Sequence, residues 1–271
     1  MMTSGNVMPS PFSEVSDNRA LLQNAIEKGE FVPYYQPMIC ANTGLIAGAE
    51  ALVRWEHQTL GLIMPGAFLP QVEQHSLLIP MTISLLDRIK QDLLSIAEKL
   101  PEGFNVSMNI TADMLLDEAF CRRLAHGISE LHNYDIIFTI EIIESHQQTT
   151  LNNIKDKIGQ FRDLGAMIAL DDFGTGNSNF SSLTKIKPDF IKIDRGFVAG
   201  IGNNKSCEAI IHAITDISNT LKLSLISEGV EEQEQISYLK ELGVEFFQGF
   251  YFSKALSHQN FLTYLNKVNH S

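Results

Sequence analysis

Short runs of apolar and β-branched residues alternate along the chain with longer stretches in which apolar positions recur every three or four residues. The runs are FVPYYQPMI from Phe31, LIAGAEALVRW from Leu45, NVSMNIT from Asn105, IIFTIEII from Ile136, MIALDDF from Met167, FIKIDRGFV from Phe190, LSLISEGV from Leu223 and FFQGFYFS from Phe246. Each has the length and composition of a buried strand. The segments between them, such as ISLLDRIKQDLLSIAEKL after Thr82 and CEAIIHAITDISNTLK after Ser206, have the period of amphipathic helices. Strands that alternate with helices imply βα units and a parallel sheet, and eight of them in about 250 residues imply a β/α barrel. Only CANTG separates the first two runs, a hairpin length that no parallel crossover can use. The expected fold is therefore α/β, a modified TIM-type (β/α)8 barrel with an antiparallel first strand.

Residues 1–17 show no periodicity and are rich in Ser, Pro, Asn and Met, so a flexible N-terminal arm is expected there and a single domain over 18–271. The arm is too short for a sensory domain and has neither the basic start nor the apolar centre of a secretory signal. The apolar stretch from Leu77 to Leu86 contains Pro80 and ends at Asp87, too short to cross a bilayer.

With 44% hydrophobic and 19% charged residues among 271, the composition is that of a globular chain. The formal net charge of −12 argues against a broad grip on nucleic acid, and a phosphate-bearing ligand would need local help against that field. Cys40, Cys121 and Cys207 are widely spaced and odd in number, which excludes a disulfide framework or a cysteine-zinc site and suits the cytoplasm.

Polar residues interrupt every apolar run toward its C-terminal end: Gln36, Glu50, Asn109, Glu141, Asp171 with Asp172, Lys192 with Asp194, Glu228 and Gln248. One such residue would be read as a cap or a loop residue, but eight strands out of eight outline the barrel rim on which active sites are built. Convergence of Glu50, Glu141, Asp171, Asp172 and Glu228 brings like charges together, and Lys192 alone cannot balance them. An all-oxygen set that includes the Asn109 carbonyl favours hard cations, Mg²⁺ or Mn²⁺, and five carboxylates suffice for two ions. A two-metal site suits attack of water on a phosphodiester. Asp171 and Asp172 would point to opposite faces of a regular strand, so both can ligate only if the strand ends there, where FGTG supplies the break. Glu144 does not share a face with Glu141, three residues away, and is expected to hold a loop.

These residues resemble the EAL-domain phosphodiesterases that hydrolyse cyclic di-GMP, over nearly the whole chain from about Asn18. Glu50-Ala51-Leu52 is the naming tripeptide, followed by Arg54-Trp55. Gln36-Pro37, Asn109, Glu141 with Glu144, DDFGTG from Asp171, KID from Lys192, EGV from Glu228 and Gln248-Gly249 match further family motifs. The resemblance implies metal ligation by Glu50, Asn109, Glu141, Asp171, Asp172 and Glu228. It implies catalytic roles for Lys192, which would steady the attacking water or a phosphate oxygen, and for Glu50 and Glu228. Arg54 and Gln36 would contact the substrate, and Gln248 would orient a water or metal-bound group. Glu144 and Asp194 would anchor loops around this set, while Glu231, three residues after Glu228, is expected to open the helix EEQEQISYLKELG and to interact with its N-terminus rather than to ligate. It further implies a homodimer that hydrolyses cyclic di-GMP to linear pGpG; the charge and the short apolar stretches, read above, lead us to expect no nucleic acid polymer or membrane as partner. The departures from the pattern, Ile143, Asn177-Ser178 and Ala255, touch no ligand position.

Two other readings compete. A silent relative would bind the nucleotide or a protein without turnover, but such relatives lack a rim acid or the lysine, and all are present here. A glycosidase would need two carboxylates and leaves the Asp pair, Asn109 and Lys192 unused. Trp55 and the Phe-rich run FFQGFYF are expected to be packing, and His57 a turn residue.

Overall fold

The computed structural model of the protein describes Phe12 and residues 18–143, 153–174 and 180–268. The expected arm over 1–17 lies, apart from Phe12, outside the described residues. The chain divides into two compact units, one of residues 1–33 and 53–89 and the other of 34–52 and 90–271.

The larger unit contains the barrel. Its strands are β1 (Phe31–Cys40, from Tyr34 onward), β2 (Ile46–His57, as far as Leu52), β4 (Phe104–Thr111), β5 (Ile136–Ile143), β6 (Met167–Phe173), β7 (Phe190–Ile193), β8 (Ser224–Ser227) and β9 (Phe246–Phe247). They pair in the order β1-β9-β8-β7-β6-β5-β4-β2, and a β1–β2 pairing closes the ring. The pairs from β2–β4 round to β8–β9 are parallel, while β1 runs antiparallel to both β9 and β2. The short β1–β2 turn gives the antiparallel first strand that its length requires.

Gln36 reaches the cavity for a different reason from the other rim residues. On an antiparallel strand the C-terminal end points away from the common rim, so Gln36 gets there by lying before the Ile39↔Phe247 pair, level with the chain that leaves β9.

Among the crossover helices, Glu118–His132 starts at Asp117, whose carboxylate accepts from the Phe120 amide at 2.7 Å, and buries Phe120, Leu124, Ile128 and Leu131 along one face. The 17-residue helix Lys205–Leu221 is capped by Asn204 and ends at the left-handed Lys222. The helix expected after Thr82 begins earlier, at Leu78. Pro80 falls in its first turn, where a missing N–H costs no helical hydrogen bond.

The smaller unit gathers α1 (Asn18–Glu27), the far end of β2 with β3 (Gly61–Ile63) and α2 (Pro65–Gln74) around Phe31, Trp55, Phe68 and Met81. β3 pairs antiparallel with β2, Trp55 opposite Ile63. Trp55 is fully buried against Phe31 and Phe68, and its indole N–H donates to Glu30 at 2.9 Å, so it is packing, as expected. His57 accepts from the Thr59 and Leu60 amides and holds a turn.

Candidate active site

Of the rim residues, Gln36, Glu50, Asn109, Asp171, Asp194, Glu228 and Gln248 line a cavity of about 460 Å³ in the larger unit; Glu141 and Lys192 do not line it, but Lys192 contacts Glu50 and Glu228, and Glu141 contacts Lys192. Its geometry is organised by Lys192, the polar member of the four-residue strand β7. The other three residues of β7 are buried apolar side chains, and Lys192 itself is 1% exposed. Its ammonium stands 2.6 Å from Glu141 Oε2, 2.5 Å from Glu228 Oε1, 3.3 Å from Glu50 Oε2 and 3.6 Å from Asp171 Oδ1. Four carboxylates drawn from four strand ends thus converge on one cation, for a local balance of −3 when all are ionised.

Glu50 is bonded through both of its oxygens. Asn109 Nδ2 donates to its Oε1 at 2.8 Å, and Gln248 Nε2 donates to its Oε2 at 2.7 Å and to Gln36 Oε1 at 3.1 Å. Gln36 in turn donates to the Ser253 carbonyl at 3.3 Å. Asn109 and Glu141 sit opposite each other across the β4–β5 ladder. The Asn109 side-chain oxygen is buried and has no hydrogen-bond partner among the described residues.

Burial and charge pull these groups in different directions. Burial lifts the Glu141 carboxyl well above the usual carboxylate range, and the neighbouring Glu50 adds to it against the pull of Lys192. Glu228 is likewise raised by burial, to about 7, although Lys192 opposes the shift. Burial would also raise Glu50, but the Lys192 charge and the hydrogen bonds from Gln248, Lys192 and Asn109 outweigh it and leave the group lowered. Burial works against the Lys192 charge, yet Glu141, Glu228, Glu50 and Asp171 together hold the ammonium well above its ordinary range.

β6 does not end at the aspartates. It continues to Phe173 through a register shift, Leu170 opposite Ile191 and Phe173 opposite Ile193, so three steps on β6 match two on β7. A bulge, rather than termination of the strand, breaks the alternation that would send adjacent side chains to opposite faces. Gly174 follows at φ +95°, a conformation side chains rarely adopt. The Asp172 side chain, Glu144, Asn177 and Ser178 lie outside the described residues, as does the centre of the loop after Gly174.

Asp194 lies one residue past β7, and its carboxylate accepts from the Gly196 amide at 2.8 Å, starting the short helix Arg195–Val198. Glu231 does not open a helix. Glu232 is the cap of Gln233–Glu241, in a reciprocal box with Gln235, while Glu231 lends its side chain to the cavity wall. Arg54 continues β2 in the smaller unit, where its guanidinium donates to the Val53 carbonyl at 2.8 Å.

The Phe-rich run corrects a packing expectation: Phe247 is buried, but Phe250 is 58% exposed and lines the cavity. Arg195 is a second cavity residue the sequence did not single out, and only its position directly after KID could have marked it.

The candidate ligands all offer oxygen, the local charge is negative, and one buried carbonyl oxygen lacks a donor among the described residues. This chemistry fits hard divalent cations. Among the described residues, no three acids, histidines or cysteines already converge as a cation cage, since the Lys192 ammonium holds the carboxylates together.

A family model for the EAL domain matches residues 19–255. The chain is 32% identical over 239 residues to the cyclic di-GMP phosphodiesterase PdeL of Escherichia coli K12, covering 88% of this chain and 66% of PdeL. To the cyclic di-GMP phosphodiesterase PdeR of the same strain it is 34% identical over 238 residues, covering 87% of this chain and 35% of PdeR. The chain thus spans between about a third and two thirds of the curated relatives it matches. The solved structure of the PaMucR phosphodiesterase in complex with c-di-GMP superposes with a TM-score of 0.78 at 29% identity, over 89% of this chain and 97% of that one.

Proposed function

Because the chain belongs to the EAL domain family, we propose that the cavity hydrolyses one phosphodiester of cyclic di-GMP to give linear pGpG, with Mg²⁺ or Mn²⁺, two ions, as cofactor. The observation that carries this reading is the convergence of Glu50, Glu141, Asp171 and Glu228 on Lys192, beside an Asn109 oxygen without a partner among the described residues. Glu50, Asn109, Glu141, Asp171 and Glu228, with Asp172 on sequence alone, would hold the ions. When bound, such ions supply an activated water and offset charge on the phosphoryl group.

The chain's own residues supply position and fixed charge. Lys192 stays protonated and offers its N–H groups to the attacking water or a phosphate oxygen, acting as a donor rather than a base. Gln248 ties Glu50 to Gln36, so a displacement at either end reaches the central carboxylate. Gln36 and Arg54 are assigned to substrate contact, and Asp194 to holding the loop after β7. Glu228, raised to about 7 by burial, would have to be ionised to serve as a ligand.

On the family resemblance the enzyme is a homodimer. The free cysteines suit the cytoplasm, and no helix among the described residues is long and apolar enough to cross a membrane. The test is incubation of the protein with cyclic di-GMP and Mg²⁺ or Mn²⁺, with chromatography for pGpG. Binding without turnover would make the protein a receptor of the same fold.

A further inference from the structure

Tyr35 and Gln36 are neighbours on β1 and point to opposite faces of the barrel wall. Gln36 lines the cavity, whereas Tyr35 is fully buried behind the wall, its ring 5.2 Å from that of Phe261 in the last helix, His258–Val268. The Tyr35 hydroxyl donates to Asp92 Oδ2 at 3.0 Å, and Asp92, near the end of the helix Leu78–Leu94, is itself buried. The same carboxylate oxygen stands 3.9 Å from His258 Nδ1 at the start of the last helix, where a negative group meets the positive end of the helix dipole. The main chain of Tyr35 is held as well: its amide donates to the Leu256 carbonyl at 2.7 Å, and its carbonyl accepts from the Leu256 amide at 2.9 Å. A buried phenol and carboxylate cost desolvation that an apolar pair of the same shape would avoid, so packing alone does not account for them. What they supply, and an apolar pair could not, is direction, since a hydrogen bond fixes the place of one residue along its strand.

We propose that Asp92 is a positioning residue for the site: by holding the Tyr35 hydroxyl from behind the barrel wall, it sets where the Gln36 amide stands in the cavity. The inference rests on the reading that Gln36 contacts a cyclic di-GMP substrate there. The described ladder of β1 with β9 joins Ile39 and Cys40, on one side of Gln36, and the Tyr35–Leu256 bridge stands on the other. Gln36 itself donates to the Ser253 carbonyl at 3.3 Å and accepts from Gln248 at 3.1 Å, so both partners belong to the segment that leads from β9 to Leu256. A slip of β1 against that segment would move the Gln36 amide off both at once. The Tyr35–Asp92 bond opposes the slip at the adjacent residue. Asp92 is not among the residues that line the cavity, so it acts on substrate through Gln36.

The experiment is steady-state hydrolysis of cyclic di-GMP, below every melting transition, by wild-type protein, Tyr35→Phe, Asp92→Ala, Asp92→Asn and the double variant of Tyr35→Phe with Asp92→Ala. Leu265→Ala, which opens a cavity under the last helix at a fully buried position, is the control for general loosening, and each protein is also melted. Positioning predicts that Tyr35→Phe and Asp92→Ala each raise KM by about three- to tenfold, the fold-change that one hydrogen bond is worth, at nearly unchanged kcat. The double variant is no worse than either single one, because all three lose the same bond. Asp92→Asn, whose amide oxygen can accept from Tyr35, keeps KM near wild type, and Leu265→Ala lowers the melting temperature but leaves KM alone. Should Asp92→Ala not fold, Tyr35→Phe, which removes a single oxygen, carries the comparison with Leu265→Ala. An unchanged KM in Tyr35→Phe, effects that add in the double variant, no rescue by Asp92→Asn, or an equal rise in KM in Leu265→Ala overturns this inference and leaves the proposed activity standing. A wild-type protein that neither binds nor hydrolyses cyclic di-GMP overturns both.

Discussion

At the scale of single residues, the site is a problem of unequal charge. Glu228 and Glu141 are raised in the folded protein, so between about pH 4.5 and about 7 the native state holds a proton that the unfolded chain releases. Metal-free protein should therefore lose stability as pH rises through that window. Glu50, being lowered, weakens the fold only on acidification below its ordinary value, and Lys192 is charged throughout, so neither reverses the slope. Thermal melts from pH 5 to 8 should fall in chelator and flatten in Mg²⁺, which favours the ionised carboxylates; a flat profile in chelator would count against the raised values. Lys192→Met leaves four acids without their cation. It should cost about 3–5 kcal/mol in a metal-free urea titration, the penalty of breaking a buried pair, and lower turnover at least about a hundredfold. Lys192, Glu50 and Glu141 were legible in the sequence because an ionisable residue inside a run of β-branched neighbours has no cheap bland explanation. Phe250 was not, since an aromatic run has the same composition whether its rings are buried or displayed.

At the scale of elements, all eight barrel strands were legible from their apolar runs, and the reversed β1 from the five residues that follow it. β3 was not, because three residues carry no measurable alternation, and neither was the β6 bulge, which the register with β7 decides rather than the residues of β6 alone. The turn after β9 makes a sharp expectation. Gly249→Ala drives a Cβ into the Val230 backbone, which cannot yield as a side-chain tip would. It should cost about 1–3 kcal/mol or more. It should also move Gln248 off Glu50, lowering activity as well as melting temperature. An active, stable Gly249→Ala enzyme would show that the turn has slack.

At the scale of the whole molecule, the charge of −12 and the acid-lined cavity both oppose an anionic dinucleotide, and cations in the site are the means of reversing that field locally. Excess chelator should abolish hydrolysis. Mg²⁺ or Mn²⁺ should restore it, and Ca²⁺ should do so poorly because its looser coordination misplaces the attacking water. Full activity in chelator would remove the metal from the mechanism. The barrel class was readable at this scale, but the division into two units was not. The chain passes from one unit to the other inside β1, β2 and the helix Leu78–Leu94, so no linker or change of composition marks the boundaries.

The ring is joined unevenly. β4 and β5 share eight residue pairs, whereas β9 offers two pairs to β8 and two to β1, the latter joining Ile39 and Cys40 to Phe247 and Phe246 across most of the chain. So distant a join can form only after the intervening strands are in place, and it has the least ladder to hold it. This seam should be the last part of the barrel to fold and the first to breathe, with β9 amides exchanging hydrogen faster than those of β4 and β5. Gln36 and Gln248 stand on its two sides and share a hydrogen bond, so a ligand gripping both would work as a latch and slow exchange at β9 first.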